Sequence, residues 1–215
     1  MSVAPPKTDS KHALLHAATK VFAEKGYEGA TVKDLADEAG VNVSLVSYHF
    51  GGKEGLYRAC ILQFAQARLD AVERILKAPT SHSELRVRLR LFAEELVDVH
   101  IREPDLCKIV HRDVERMTEF GEEVMRDGFF KLFLTFVQFL KAAEKAKLIQ
   151  KFKDYESVAT LVFGSLMHLL KTEEHRKLLN RPTIQDPKFR EDILTLWTDM
   201  SIASLGSHPS RAQES

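Results

Sequence analysis

The spacing of its apolar residues restricts this chain more than anything else in it. From Leu14 onward they recur three and four apart in nearly every segment, and no run alternates as a half-buried strand would. An all-α fold follows. Leu14, Ala17, Ala18, Val21 and Phe22 share one face of a first helix, which Ser10 is placed to cap and Gly26 to end. Thr31-Val32-Lys33-Asp34 opens a short second helix as a capping box, because Asp34 can reach back to the helix start. Val32, Leu35, Ala36 and Ala39 form its apolar stripe, and Gly40 suits the left-handed turn that ends it. Asn42 is an N-cap for a third short helix running to about Phe50, which Gly51-Gly52 breaks. Lys53 then starts a long fourth helix reaching Lys77 and stopped by Pro79.

The remainder continues in the same period. Ser81 to Glu84 is a second capping box, Pro104 starts another helix, and Gly121 and Gly128 mark breaks before a Phe-rich stretch at 129–140. Asp154 caps a helix through Lys171, and Asp186-Pro187 starts a last helix ending near Leu205. About nine helices result, in two blocks. The expected division is a disordered arm at 1–9, a three-helix domain at 10–56, a helical domain at 57–206 and a disordered tail at 207–215.

Composition narrows the class. With 215 residues, 44% hydrophobic and 29% charged, the chain has enough apolar material for a sizeable core. No apolar run approaches the ~18 residues of a membrane span, and Met-Ser-Val-Ala-Pro-Pro-Lys lacks the apolar segment of a secretory signal. Two cysteines, Cys60 and Cys107, make no disulfide framework. A cytoplasmic protein is expected, with no membrane contact. Basic and acidic residues balance at 31 each, and residues 1–60 carry seven of each. Any nucleic-acid binding must therefore come from local placement, not from a broad basic field.

The first block has that placement. Two short helices joined by a tight glycine turn and braced on both sides follow the helix-turn-helix plan. Val46 and Phe50, four apart, face inward, with Leu35 and Ala39 completing the core. Ser44, Leu45 and Tyr48 then point outward, Val43 starts the same helix, and Ser47 and His49 lie at the flanks. Apolar groups there suit thymine methyls, and hydroxyls suit base edges or phosphates. Tyr48 can instead staple the second helix, and His49 divides between phosphate contact and packing. Thr31 and Lys33 at the second helix start, and Lys53 at the fourth, suit phosphate, with Lys7 and Lys11 on the arm as additions.

The run from Thr31 to Tyr57, with its helix caps, Gly40, Tyr48-His49-Phe50 and Lys53-Glu54-Gly55-Leu56 in register, resembles the signature of the tetracycline-repressor (TetR) family over roughly residues 10–58. The resemblance implies that the third helix reads the major groove of double-stranded operator DNA and that Tyr48, His49 and Lys53 carry contact roles. It also implies a homodimer, a small-molecule effector held in an all-helical C-terminal domain, and repression as the default. Ser47 stands where the family very often has Tyr, and Leu45 where it has Thr or a similar residue.

In the second block Phe129, Phe133 and Phe136 mark one face of the Phe-rich helix, either as plain core or as the lining of an effector cavity. His100, His111, Arg112 and His168 are the polar candidates for that cavity. Ala159, Val162, Phe163 and Leu166, with Ile193, Trp197 and Met200, form the apolar faces expected at the dimer seam, or else merely cover the Phe-rich helix. An enzyme fits less well. His111-Arg112-Asp113 lacks the rest of a kinase motif set, and Cys107 and His111 offer a metal only two ligands at helical spacing. No cofactor is implied. A helical protein-interaction adaptor leaves the outward Tyr48 and Lys53 without a purpose.

Overall fold

The computed structural model describes residues 7–116, 122, 126 and 129–207; of residues 7–9 and 113–116 it describes the backbone alone. Gly121, Gly128, the first six residues and those after Ser207 lie outside the described residues. Ten helices and no strand occur among the described residues. They are α1 (Lys7–Gly29), α2 (Val32–Ala39), α3 (Ser44–Phe50), α4 (Lys53–Ile75), α5 (His82–Arg102), α6 (Pro104–Arg116), α7 (Phe130–Lys145), α8 (Tyr155–Lys171), α9 (Glu173–Leu178) and α10 (Pro187–Ser204). The short α9 has no counterpart in the apolar periodicity, and its residues are without exception outside the core.

The helix ends follow the local chemistry. Thr31 accepts from the Asp34 N–H while the Asp34 carboxylate accepts from the Thr31 N–H at 2.9 Å, and Gly40 ends α2 in the left-handed region at φ 64°. Asp154 and Asp186 cap α8 and α10, the latter with Pro187 in the first turn. Two expectations need correction. Ser10 lies inside α1, which starts at Lys7, and α1 breaks at Gly26 (φ 76°) but resumes for one more turn. In the second box the Glu84 N–H donates to Ser81, whereas the Glu84 carboxylate reaches one residue further back, to the Thr80 N–H and hydroxyl.

The chain forms two compact units, each drawn from two stretches: Met1–Ala67 with Glu103–Phe129, and Arg68–Arg102 with Phe130–Ser215. The sequence suggests a break near residue 56. The first unit instead runs along α4 to Ala67 and takes in α6, which packs on α1. Its core joins Leu14, Ala18 and Phe22 of α1 to Leu35, Val46, Leu56 and Ile61, all essentially sealed from solvent. The Phe22 and Tyr27 rings close on Tyr57, at 4.8 and 5.0 Å between centroids. From α6 the Arg112 guanidinium donates to the Phe22 carbonyl at 2.8 Å and to the Ala23 carbonyl at 3.5 Å, in the turn just before the break at Gly26.

In the second unit α5 packs on α10 and α8, and α7 on α8. Phe92 stacks on Phe136 at 4.9 Å and meets Phe163 and Trp197 at 5.8 and 6.3 Å. The Trp197 indole N–H, buried, donates to the Val162 carbonyl at 3.0 Å and the Ser165 hydroxyl at 3.1 Å. Ser207, expected in a disordered tail, is buried and bonded to His82 at 2.9 Å. No helix among the described residues is long and apolar enough to cross a membrane.

Candidate nucleic-acid interface

The α2 and α3 helices are too short to hold themselves, so α1, which packs on both, positions them. Leu35 and Val46 anchor the pair inward. Gly55 fixes how α4 leaves α3, since a Cβ there would lie 1.8 Å from the Phe50 carbonyl oxygen. What remains outside is one side of α3: Val43 (47% exposed), Ser44, Ser47 and Tyr48 (66% exposed), with Thr31 and Lys33 exposed at the start of α2. Leu45 is half-buried, as are Phe50 and Ala39, which the sequence assigns wholly to the core.

Several polar candidates already have partners. His49 is half-buried and its Nε2 bonds the buried Ser10 hydroxyl at 2.9 Å, so it braces α3 against α1. The Lys53 ammonium donates to the carbonyls of Tyr27 (2.9 Å) and Ala30 (3.0 Å) and lies 4.3 Å from the centre of the Tyr27 ring. Read from sequence as a phosphate grip, it holds the α1–α2 connection. The Thr31 hydroxyl donates to Asp34 at 2.8 Å, and Asp34 also meets Lys25 at 2.8 Å. The Lys25 ammonium and the Thr31 donors hold the Asp34 carboxyl down at about 2, so a carboxylate already occupies the positive end of α2. Lys11 lies over the Phe50 ring.

Of the seven effector candidates, His111, Arg112 and Phe129 belong to the first unit, and His100, Phe133, Phe136 and His168 to the second. Arg112 is spent on α1, and Phe129 packs on Phe64 at 6.0 Å. His100 donates to the Leu96 carbonyl of its own helix, and burial lowers its pKa, an effect that this bond partly offsets. His168 is exposed in the last turn of α8, Phe136 is core and Phe133 stacks on Phe130. The second unit does have an open groove of ≈ 540 Å³ along the Phe-rich α7, lined by Leu69, Glu73, Leu76, Lys131, Leu134 and Phe139 among others. None of the seven lines it.

Of the seam residues, Ala159, Val162, Leu166 and Trp197 have little exposure in the single chain and Phe163 packs against the stacked Phe92 and Phe136, while Val162, Leu166, Ile193, Trp197 and Met200 all line one groove on α8 and α10. Ile193 is half-buried, and only Met200 is exposed, at 60%. The outward apolar face of α8 and α10 carries Leu161 (75% exposed), Leu196 (53%) and Met200 around a ≈ 260 Å³ groove. Because α8 is apolar almost all round, periodicity alone could not say which side faces in.

Comparison with known proteins bears on the first unit most directly. Residues 14–60 match the family model described as bacterial regulatory proteins, tetR family. The chain is 26% identical over 141 residues to the probable HTH-type transcriptional regulator YttP of Bacillus subtilis, covering 66% of this chain and 68% of that one. It is 33% identical over 93 residues to the HTH-type transcriptional repressor AcnR of Corynebacterium glutamicum, covering 39% of this chain and only half of that one. The fold matches that of the fatty acid degradation regulator FadR from Bacillus halodurans with a TM-score of 0.72, over 99% of this chain and all of that one, at 14% identity. Residues 14–60 thus carry the DNA-binding segment of the bacterial regulatory proteins of the tetR family, on a chain whose all-helical fold is that of solved bacterial transcriptional regulators.

Proposed function

We propose that the protein binds palindromic operator DNA as a homodimer, represses the adjoining gene, and is released by a small, largely apolar effector. The observation that carries the reading is the outward side of α3. Val43, Ser44, Ser47 and Tyr48 stand exposed on a helix whose other side is locked into a core by Val46. An exposed Val and Tyr there suit a major groove, where apolar groups meet thymine methyls. Two-fold symmetry doubles the contacts, which is how a chain of zero net charge gains affinity without a basic field.

The outward face of α8 and α10 supports self-pairing, since Leu161, Leu196 and Met200 make a contiguous apolar surface of the kind that bundles bury. The effector is assigned to the groove along α7, where Leu69, Leu76, Leu134 and Phe139 offer an apolar floor and Glu73, Lys131 and Gln138 a few polar groups. Titration of the purified protein against duplex flanking its own gene tests the central claim. A shift to one symmetric complex, reduced by Tyr48→Ala, is expected. No preference for that duplex over random DNA at moderate salt would overturn it.

A further inference from the structure

The loop into α3 fixes the hydrogen-bonding polarity of one exposed hydroxyl. Asn42 Oδ1 accepts from the Ser44 backbone N–H at 2.9 Å and from Ser44 Oγ at 2.7 Å. The first bond settles the orientation of the amide, because only its oxygen can face an N–H. The second bond then has a single possible polarity: the Ser44 hydroxyl donates its proton to Asn42. Outward, Ser44 presents lone pairs and no donor. Ser47, exposed one turn later, has no such tether among the described residues and can turn its proton either way.

Ser44 stands at the N-terminal end of α3, the end from which a reading helix meets base edges. In the major groove adenine and cytosine present amino donors, guanine presents two acceptors, and thymine an acceptor and a methyl group. We propose that Ser44, held by Asn42, is a polarity-fixed reader that accepts from the amino group of A or C at one position in each half-site and disfavours G and T there. The inference rests on α3 being the DNA-reading helix. To donate to G or T, Ser44 must first give up its bond to Asn42. The loss of one ordinary hydrogen bond makes the expected preference about 3- to 10-fold.

The test is selection from a random duplex pool by the full-length wild type and by Ser44→Ala, Asn42→Ala and Asn42→Asp. The wild type should enrich A or C at one position per half-site. Ser44→Ala, an exposed truncation that leaves the core intact, should flatten that position alone by about 3- to 10-fold. Asn42→Asp keeps an acceptor for both Ser44 bonds and should retain the A or C preference even if overall affinity falls. Asn42→Ala frees the proton and should admit G or T at the same position. A wild-type preference for G or T at the position flattened by Ser44→Ala, or a Ser44→Ala protein selecting the wild-type sequence throughout, would overturn the polarity argument. A wild type that enriches no sequence would instead overturn the assignment of α3 to DNA, so the two failures are told apart.

Discussion

The two units answer differently to the same kind of sequence signal. In the first, apolar spacing comes with punctuation: a capping box at Thr31-Asp34, a left-handed Gly40, Asn42, and the glycines at 51, 52 and 55. Each signal acts over two to four residues, and together they set the ends of the two short helices α2 and α3. In the second unit the helices are longer and broadly apolar, and their orientation depends on which neighbour each side meets. Phe163 packs on Phe92 and Phe136, whereas Leu161, two residues away, is 75% exposed. Local chemistry identifies a helix and its ends. Only packing decides which side of an all-round apolar helix is surface.

That contrast is exposed first at Phe163. Phe163→Glu puts a carboxylate against Phe92 and Phe136 and should destabilise the second unit by about 3 to 5 kcal/mol, with loss of helical circular dichroism. Leu161→Glu combined with Met200→Glu should instead give monomers with an unchanged helical spectrum. Sedimentation showing Phe163→Glu as a folded monomer would restore the inward face as the seam.

In the first unit the comparable strike is at backbone level. A methyl at Gly55 collides with the Phe50 carbonyl, so Gly55→Ala should cost about 3 kcal/mol and abolish DNA binding. A thermal melt matching the wild type would mean that the turn between α3 and α4 is not rigidly specified, and the contrast would weaken.

Lys53 sharpens the distinction between holding and reading. Lys53→Ala removes two donor bonds to carbonyls and should lower stability by about 1 to 2 kcal/mol. The slope of log affinity against log salt should change by less than about one for the dimer. Titration showing a slope flatter by about two, with stability unchanged, would show that the ammonium leaves Tyr27 and Ala30 for phosphate.

The smallest effect tests the caps, which the units have in common. Asp34 and Glu84 are both held down at about 2, by Lys25 with Thr31 and by Thr80 with Arg88 respectively. Because the folded value lies below the unfolded one, each contribution is present above about pH 4 and is lost as pH falls towards about 2. Asp34→Asn should remove the acid-dependent rise in amide exchange of α2, and Glu84→Gln that of α5. An identical pH response in α2 of Asp34→Asn and the wild type would count against the capping account.

Much of the outward side of α3 was legible because its determinants are local. Val46 had to face inward once Gly40 and Asn42 bounded the helix, and that put Ser44 and Tyr48 outside. The partners of the flanking groups were not legible. Lys53 reaches carbonyls 26 and 23 residues earlier, His49 meets Ser10 across 39, and Arg112 reaches α1 across 90. No spacing rule spans such distances. A charge in a helical period reads as free until the chain folds another segment against it.

By itself, then, the sequence determined an all-helical chain, the ends of most helices, and a short α3 bounded by Asn42 and Gly51, since caps, glycines and apolar period are fixed by nearest neighbours. Tertiary structure decided that α6 belongs with α1 through Arg112, that Lys53 holds a turn, and that Leu161 and Leu196 stand exposed on α8 and α10 while Phe163 packs on Phe92. The reason is physical. Burial is a relation between segments distant in sequence, and an apolar side chain carries no local mark of which segment it will meet.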